Sequence, residues 1–238
     1  MWLLLGLLSC APPAVPPDDL AQTPGPDVSP APAPVLPPPS SYDLARANLQ
    51  ARRLALAAAP PSAARRAAAR EVVLDFFDRS TLPAWTGTPW SFYGQTDTPG
   101  QGSIACGYFV TTALAHAGLR VDHLALAKLR STWIVSTLAG EDMLTLRDVP
   151  PIQVLHHAQT AFGDGLWVVG LDNHVGFLRS DNREIRFCHA DYSGPGVRCE
   201  DPLASAAFAS SIYVIGPAWP DVRVEDWLAG RAVEIVAR

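Results

Sequence analysis

An α+β fold is what this chain predicts, because apolar residues recur at helical spacing up to about residue 161 and at strand spacing from Gly165 onward. The strand candidates are joined by short turns at Asp172-Asn173 and Asp181-Asn182, which makes an antiparallel meander. A cysteine stands where a loop becomes an apolar helix, at Gly102-Ser103-Ile104-Ala105-Cys106-Gly107-Tyr108-Phe109-Val110, so that helix should pack on the sheet.

In order, Ser40-Ser41-Tyr42-Asp43 caps a helix running to about Ala59, Pro60-Pro61 interrupts it, and a second helix runs from Ser62 to about Arg79. In the first, Leu44, Leu49, Leu54 and Leu56 make a poor apolar face; in the second, Val72, Val73, Leu74, Phe76 and Phe77 should dock on the domain. Residues 80–103 read as an ordered loop whose Trp85, Trp90, Phe92 and Tyr93 wall a site. Helices follow from Ile104 to Ala117, stopped by Gly118, from His123 to Leu138, and from Pro151 to Ala161. Strands are expected at Gly165–Leu171, His174–Arg179, Glu184–His189, Val197–Glu200 and Ser211–Ile215; for Val222–Val236 strand and helix both fit.

The N-terminal part differs in kind. Trp2-Leu3-Leu4-Leu5-Gly6-Leu7-Leu8 is far shorter than the ~20 residues of a spanning helix and ends at Leu7-Leu8-Ser9-Cys10. That run resembles a bacterial lipobox, which implies a signal peptide over 1–9 and a lipid-anchored Cys10; a secretory signal without lipid is the alternative. Between Ala11 and Ser40, 12 prolines build a spacer that cannot form a core. The expected organisation is a signal at 1–9, an anchor and linker at 10–40, a helical extension at 41–79 and the domain that carries Cys106 at 80–238.

Charge excludes one class of partner. Residues 1–40 hold 3 acids and no base, residues 41–79 hold 7 Arg against 4 acids, and the remainder holds 11 bases against 16 acids. An acidic remainder without a basic run argues against nucleic acid. The Arg-rich stretch reads as a solvated helical face, with contact to anionic lipid or wall polymer as the other reading.

With Cys10 assigned to lipid and Cys106 to chemistry, Cys188 and Cys199 remain. They flank a hairpin centred on Ser193-Gly194, which puts the sulfurs on opposing strand positions, so a disulfide outside the cytosol is expected, with two unpaired thiols as the alternative. A thiol reacts as thiolate, and a free one is only a few per cent ionised near neutrality. A helix dipole contributes less than one pKa unit, so a partner imidazole must activate Cys106. His174 is the expected base, at the start of a strand where Gly176 leaves room on the same face for a neighbouring backbone or substrate. His189 would orient it, with Asp191 or Asn173 as alternatives. Backbone N–H groups at Gly107, with Tyr93, Gln95 or Gln101, would hold the oxyanion. His116 and His123 read as packing or surface groups.

Cys106-Gly107-Tyr108-Phe109-Val110 and His174-Val175-Gly176-Phe177 together resemble the NlpC-like branch of the papain-like cysteine hydrolases, over about residues 85–215. The resemblance implies a Cys-His-His site acting on amide bonds, with wall peptidases, amidases and transacylases among its relatives. Ala105-Cys106-Gly107-Tyr108 replaces the family's usual Asp-Cys-Ser-Gly. The expected substrate is a peptide or amide, peptidoglycan among them; the expected place is the cell envelope, lipid-anchored and facing the periplasm. A binding lipoprotein on the same fold, gripping a ligand with the Trp85–Tyr93 loop, is the second reading. No cofactor and no metal are implied: Cys-x-x-Cys and His-Glu-x-x-His are absent, and adjacent His156 and His157 diverge by about 100° on a helix. The nucleotide-binding Gly-x-x-x-x-Gly-Lys and the serine-hydrolase Gly-x-Ser-x-Gly are absent too.

Overall fold

The computed structural model describes residues 40–236; the signal, Cys10 and the linker lie outside them. Helix α1 (Ser41–Ala57) starts on a capping box in which Ser40 and Asp43 bond reciprocally, and Ser62 caps α2 (Ala63–Phe76) through Arg65 N. Leu44 and Leu54 stay exposed, as the poor face of α1 predicts, while Tyr42 and Leu49 are buried. The helix does not stop at Arg79: it widens into a π-turn at Phe77–Thr81 and continues as α3 (Leu82–Trp85).

No domain boundary falls at residue 80. Tyr42, Leu49, Val73, Phe76 and Phe77 belong to the same apolar core as Phe109, Phe177 and Val214. The Arg-rich stretch is not a free face either. Arg65 pairs with Glu225 at 2.5 Å, Arg66 with Asp221 at 3.0 Å and Arg70 also with Asp221, all on α8 (Asp221–Ala229), while Arg53 donates to the carbonyls of Trp227 and Leu228. The chain after Val222 is thus a helix, ended by Gly230 in the left-handed region at φ 63°.

The sheet has six strands in the order β1-β6-β2-β3-β4-β5, every neighbouring pair antiparallel: β1 (Leu144–Arg147), β2 (Gly165–Gly170), β3 (Val175–Asp181), β4 (Glu184–Asp191), β5 (Gly196–Glu200) and β6 (Ile212–Pro217). Five strands match the sequence reading to within two residues at each end. The sixth, β1, is an addition. Its Leu-Thr-Leu-Arg alternation covers only 4 residues, too short to stand out in sequence, and it is held at the edge by pairing with β6.

Period-two alternation sorts the sheet residues onto two apolar layers. Val168, Phe177, Cys188, Ala190, Val197 and Val214 share a core with α4 (Cys106–His116) and α6 (Ser131–Ala139). Trp167, Val169, Leu178, Phe187, Tyr213 and Ile215 pack with Val154, Leu155 and Ala158 of α7 (Pro151–Phe162). The helix expected over 123–138 is broken into α5 (His123–Ala127) and α6, because the chain leaves helical geometry at Arg130, whose ψ is 146°. That break shapes the cavity described next.

Candidate active site

Cys106 is the first residue of α4, and Ala105 before it is extended and offers no side-chain cap. The amides at the helix start therefore stay available. Three peptide N–H groups, those of Val175, Gly107 and Cys106 itself, reach the thiol and lower its pKa, but burial outweighs them and pushes it up. Gly107 is required here for space. A Cβ on it would stand 2.5 Å from the carbonyl oxygen of Ala127, so only glycine lets the end of α5 close against the start of α4.

Cys106, Gly107, Asn173, His174 and Val175 line one cavity of about 510 Å³, whose opposite wall is the α5–α6 break with Leu129, Arg130, Ser131 and Thr132. Ser131 ties the two walls by donating to Leu171 O at 2.6 Å. Asp172, also on the lining, accepts from the backbone and hydroxyl of Ser211, which fixes the turn leading into His174.

His174 is 3 % exposed, and burial, aided by the neighbouring His189, lowers its pKa to about 3. This environment favours a neutral thiol and a neutral imidazole on the one cavity lining. The Nε2 of His174 lies 2.8 Å from Nδ1 of His189, with the rings perpendicular, so Nδ1 is the His174 nitrogen that His189 does not engage. His189 is fully buried, and its own pKa is lowered by that burial against the opposing pull of Glu200. Its Nε2 is 3.1 Å from Oε1 of Glu200.

Of His189, Asp191 and Asn173, the three residues the sequence offers as partner, the geometry brings His189 to His174. Asp191 takes another part: it bonds Ser193 and pairs with Arg198 at 2.7 Å. Arg198 also pairs with Glu200 at 2.7 Å. No local motif marks Arg198 or Glu200 in the sequence. The signal was the strand period, which puts Phe187, His189 and Asp191 of β4 on one side with Arg198 and Glu200 of β5. Cys188 and Cys199 face each other on the opposite side and form the expected disulfide, one residue from His189 and one from Glu200. Closing this short loop stabilises the hairpin by up to about 3 kcal/mol in the chain-entropy description.

Gly176 does not open a path for substrate. Extension of the β3–β4 register sets it opposite His189, and a Cβ would meet the Phe187 ring at 2.6 Å and the Cys188 carbonyl and His189 Cβ at 3.0 Å. Its missing side chain is filled by the stacked Phe187 and His189 rings, whose centroids are 4.2 Å apart. Gly176→Ala should cost about 1–3 kcal/mol through overpacking against a backbone carbonyl that cannot turn away. A urea midpoint unchanged from the native protein would show that the ring pair relaxes freely.

The expected oxyanion side chains are elsewhere. Tyr93, Gln95 and Gln101 are exposed and do not line the cavity; this loop contributes backbone instead, Gly94 O accepting from Ala105 N at 2.8 Å. Trp85 is core, edge-on to Phe109, and Phe92 and Tyr93 are 70 % and 84 % exposed. Trp90 reaches the site indirectly, through Tyr192, whose ring meets His174 edge-on at 5.6 Å. His116 is a packing group against Tyr42 and Trp85.

No family model matches this chain, and no curated protein or solved structure matches it. Among the described residues, no helix is long and apolar enough to cross a membrane.

Proposed function

We propose that the chain is an envelope lipoprotein whose domain cleaves amide bonds, most specifically peptide links of the cell wall, with Cys106 as nucleophile, His174 as base and His189 as the residue that orients it. The observation that carries this reading is the shared cavity: a thiol at a helix start and a buried imidazole, 68 positions apart in the chain, open onto the same space, and the imidazole's far nitrogen is tied to a second histidine. Papain-like architecture of the NlpC type is part of the proposal, resting on the two motifs that carry these residues.

The chemistry follows from the electrostatics. Because burial holds both groups neutral, His174 Nδ1 takes the thiol proton as sulfur attacks the carbonyl carbon. The negative charge that forms on the carbonyl oxygen falls to peptide N–H groups at the start of α4. His174 then gives its proton to the departing amine as the C–N bond breaks, and water releases the acid from the thioester. Arg130 supplies a cation on the cavity lining, suited to the carboxylates of a wall peptide. The disulfide fits an oxidising compartment, and the Leu7-Leu8-Ser9-Cys10 run supplies the anchor that would hold the domain there.

The test uses the rate at which iodoacetamide alkylates Cys106 in the folded protein. At pH 7, His174→Ala should slow it at least tenfold, the effect of removing the proton acceptor. Equal rates in the two proteins would remove His174 from the chemistry and leave the binding-module reading.

A further inference from the structure

We propose that Glu200 is a positioning residue of this site, the outer end of a relay that sets which nitrogen of His174 is basic. The inference rests on the thiol-hydrolase reading above and extends it by a residue outside the Cys-His-His set.

A carboxylate accepts hydrogen bonds and has none to give, so the 3.1 Å contact from His189 Nε2 to Glu200 Oε1 requires the proton of neutral His189 to sit on Nε2. His189 Nδ1 is then an acceptor. The 2.8 Å contact to His174 Nε2 requires the proton of neutral His174 on that nitrogen, and its Nδ1 carries the free lone pair. Without the carboxylate, the histidine pair can adopt the reverse arrangement, in which His174 presents an N–H to the thiol and cannot take its proton. One acidic side chain thus decides the direction of two hydrogen bonds.

Glu200 is itself held. Arg198 bridges it to the buried Asp191 with contacts of 2.7 Å to each, and Asp191 is fixed by the backbone and hydroxyl of Ser193. The disulfide one residue away locks β5 to β4 in this register. Among the described residues, the charged and titratable groups around the pair are these: Cys106 of α4, Arg130 and Asp172 share the cavity with His174, Tyr192 lies edge-on to its ring, and His189 faces Glu200 and Arg198 of β5 and Asp191 of its own strand. Two carboxylates against one guanidinium leave one negative charge in excess beside His189, which favours a proton on His174 once the thiol has released it.

Alkylation of Cys106 as a function of pH tests this in Glu200→Ala and Glu200→Gln. Glu200→Ala should slow the reaction at pH 7 about tenfold and move its midpoint up by about one pH unit, the value of one lost buried hydrogen-bond acceptor. Glu200→Gln, whose carbonyl can still accept from His189, should recover most of the rate at pH 7. A Glu200→Ala profile that overlays the native one overturns the proposal, and so do two variants equally slow, since Gln keeps the acceptor carbonyl and that pattern reports the lost charge and not the tautomer. Should Glu200→Ala fail to fold, the ring ¹⁵N shifts of His189 in the native protein decide: protonated Nε2 is expected, and protonated Nδ1 refutes the relay. The outcomes separate the two readings, because the native-to-His174→Ala difference tests the hydrolase and the native-to-Glu200 differences test only the relay.

Discussion

His174→Ala should lower turnover of an amide substrate by about 10³- to 10⁴-fold, leaving only what the N–H groups of the helix start and substrate binding contribute. The loss is large because, among the described residues, the other candidate bases are held by partners, Asp172 on the cavity lining by the backbone and hydroxyl of Ser211. His189 lies behind His174 and is engaged at both nitrogens, and His116 is at the Tyr42–Trp85 contact. Moreover, the thiol's pKa is raised by burial, so without a base very little thiolate is present near neutrality. Release of amine from purified wall peptide fragments is the measurement, alongside Cys106→Ala as the fully inactive reference. Turnover within tenfold of native would remove His174 as general base even if Cys106 were still required.

Acid should destabilise the fold in a window set by its buried histidines. The pKa of His174 is lowered to about 3 and that of His116 to about 4, both chiefly by burial, and His189 moves in the same direction. An unfolded histidine titrates near 6.5, so between that value and the folded one the unfolded chain binds more protons, and stability falls as pH falls. The contribution is fully present above about pH 6.5. Below it, His174 and His116 each cost about 1.4 kcal/mol per pH unit until their folded values are reached, so two units lower the loss is of order several kcal/mol, with His189 acting in the same direction. Carboxylates enter later. Asp164, Asp172, Asp191 and Asp221 are lowered from 3.8, mainly by hydrogen bonds and ion pairs, so their stabilisation is present above that value and is lost only as pH drops through the folded one. Urea midpoints between pH 7.5 and 4.5 should therefore decline with little change in slope. A flat series would mean that these rings become solvated without unfolding.

The two effects have one origin. The apolar layer that shields His174 and His189, with Phe187 stacked on one ring and Tyr192 edge-on to the other, keeps the imidazole neutral, as the proposed role requires, and makes its protonation costly to the fold.

By itself the sequence determined what depends on neighbours along the chain. The Ser40 and Ser62 caps, the start of α4 at Cys106, the hairpin that pairs Cys188 with Cys199 and five of the strands rest on local spacing, turn residues and periodicity, so they were legible. Tertiary structure decided the rest. The fate of the Arg-rich stretch depended on Asp221 and Glu225, some 150 positions away, and the role of Gly176 depended on the Phe187 ring lying across the next strand. Glu200 joins His189 only because β4 and β5 pair in the register that opposes Phe187 to Glu200 and His189 to Arg198. The physical reason is that a side chain's local pattern states which face it occupies, while strand register and packing choose what it meets there.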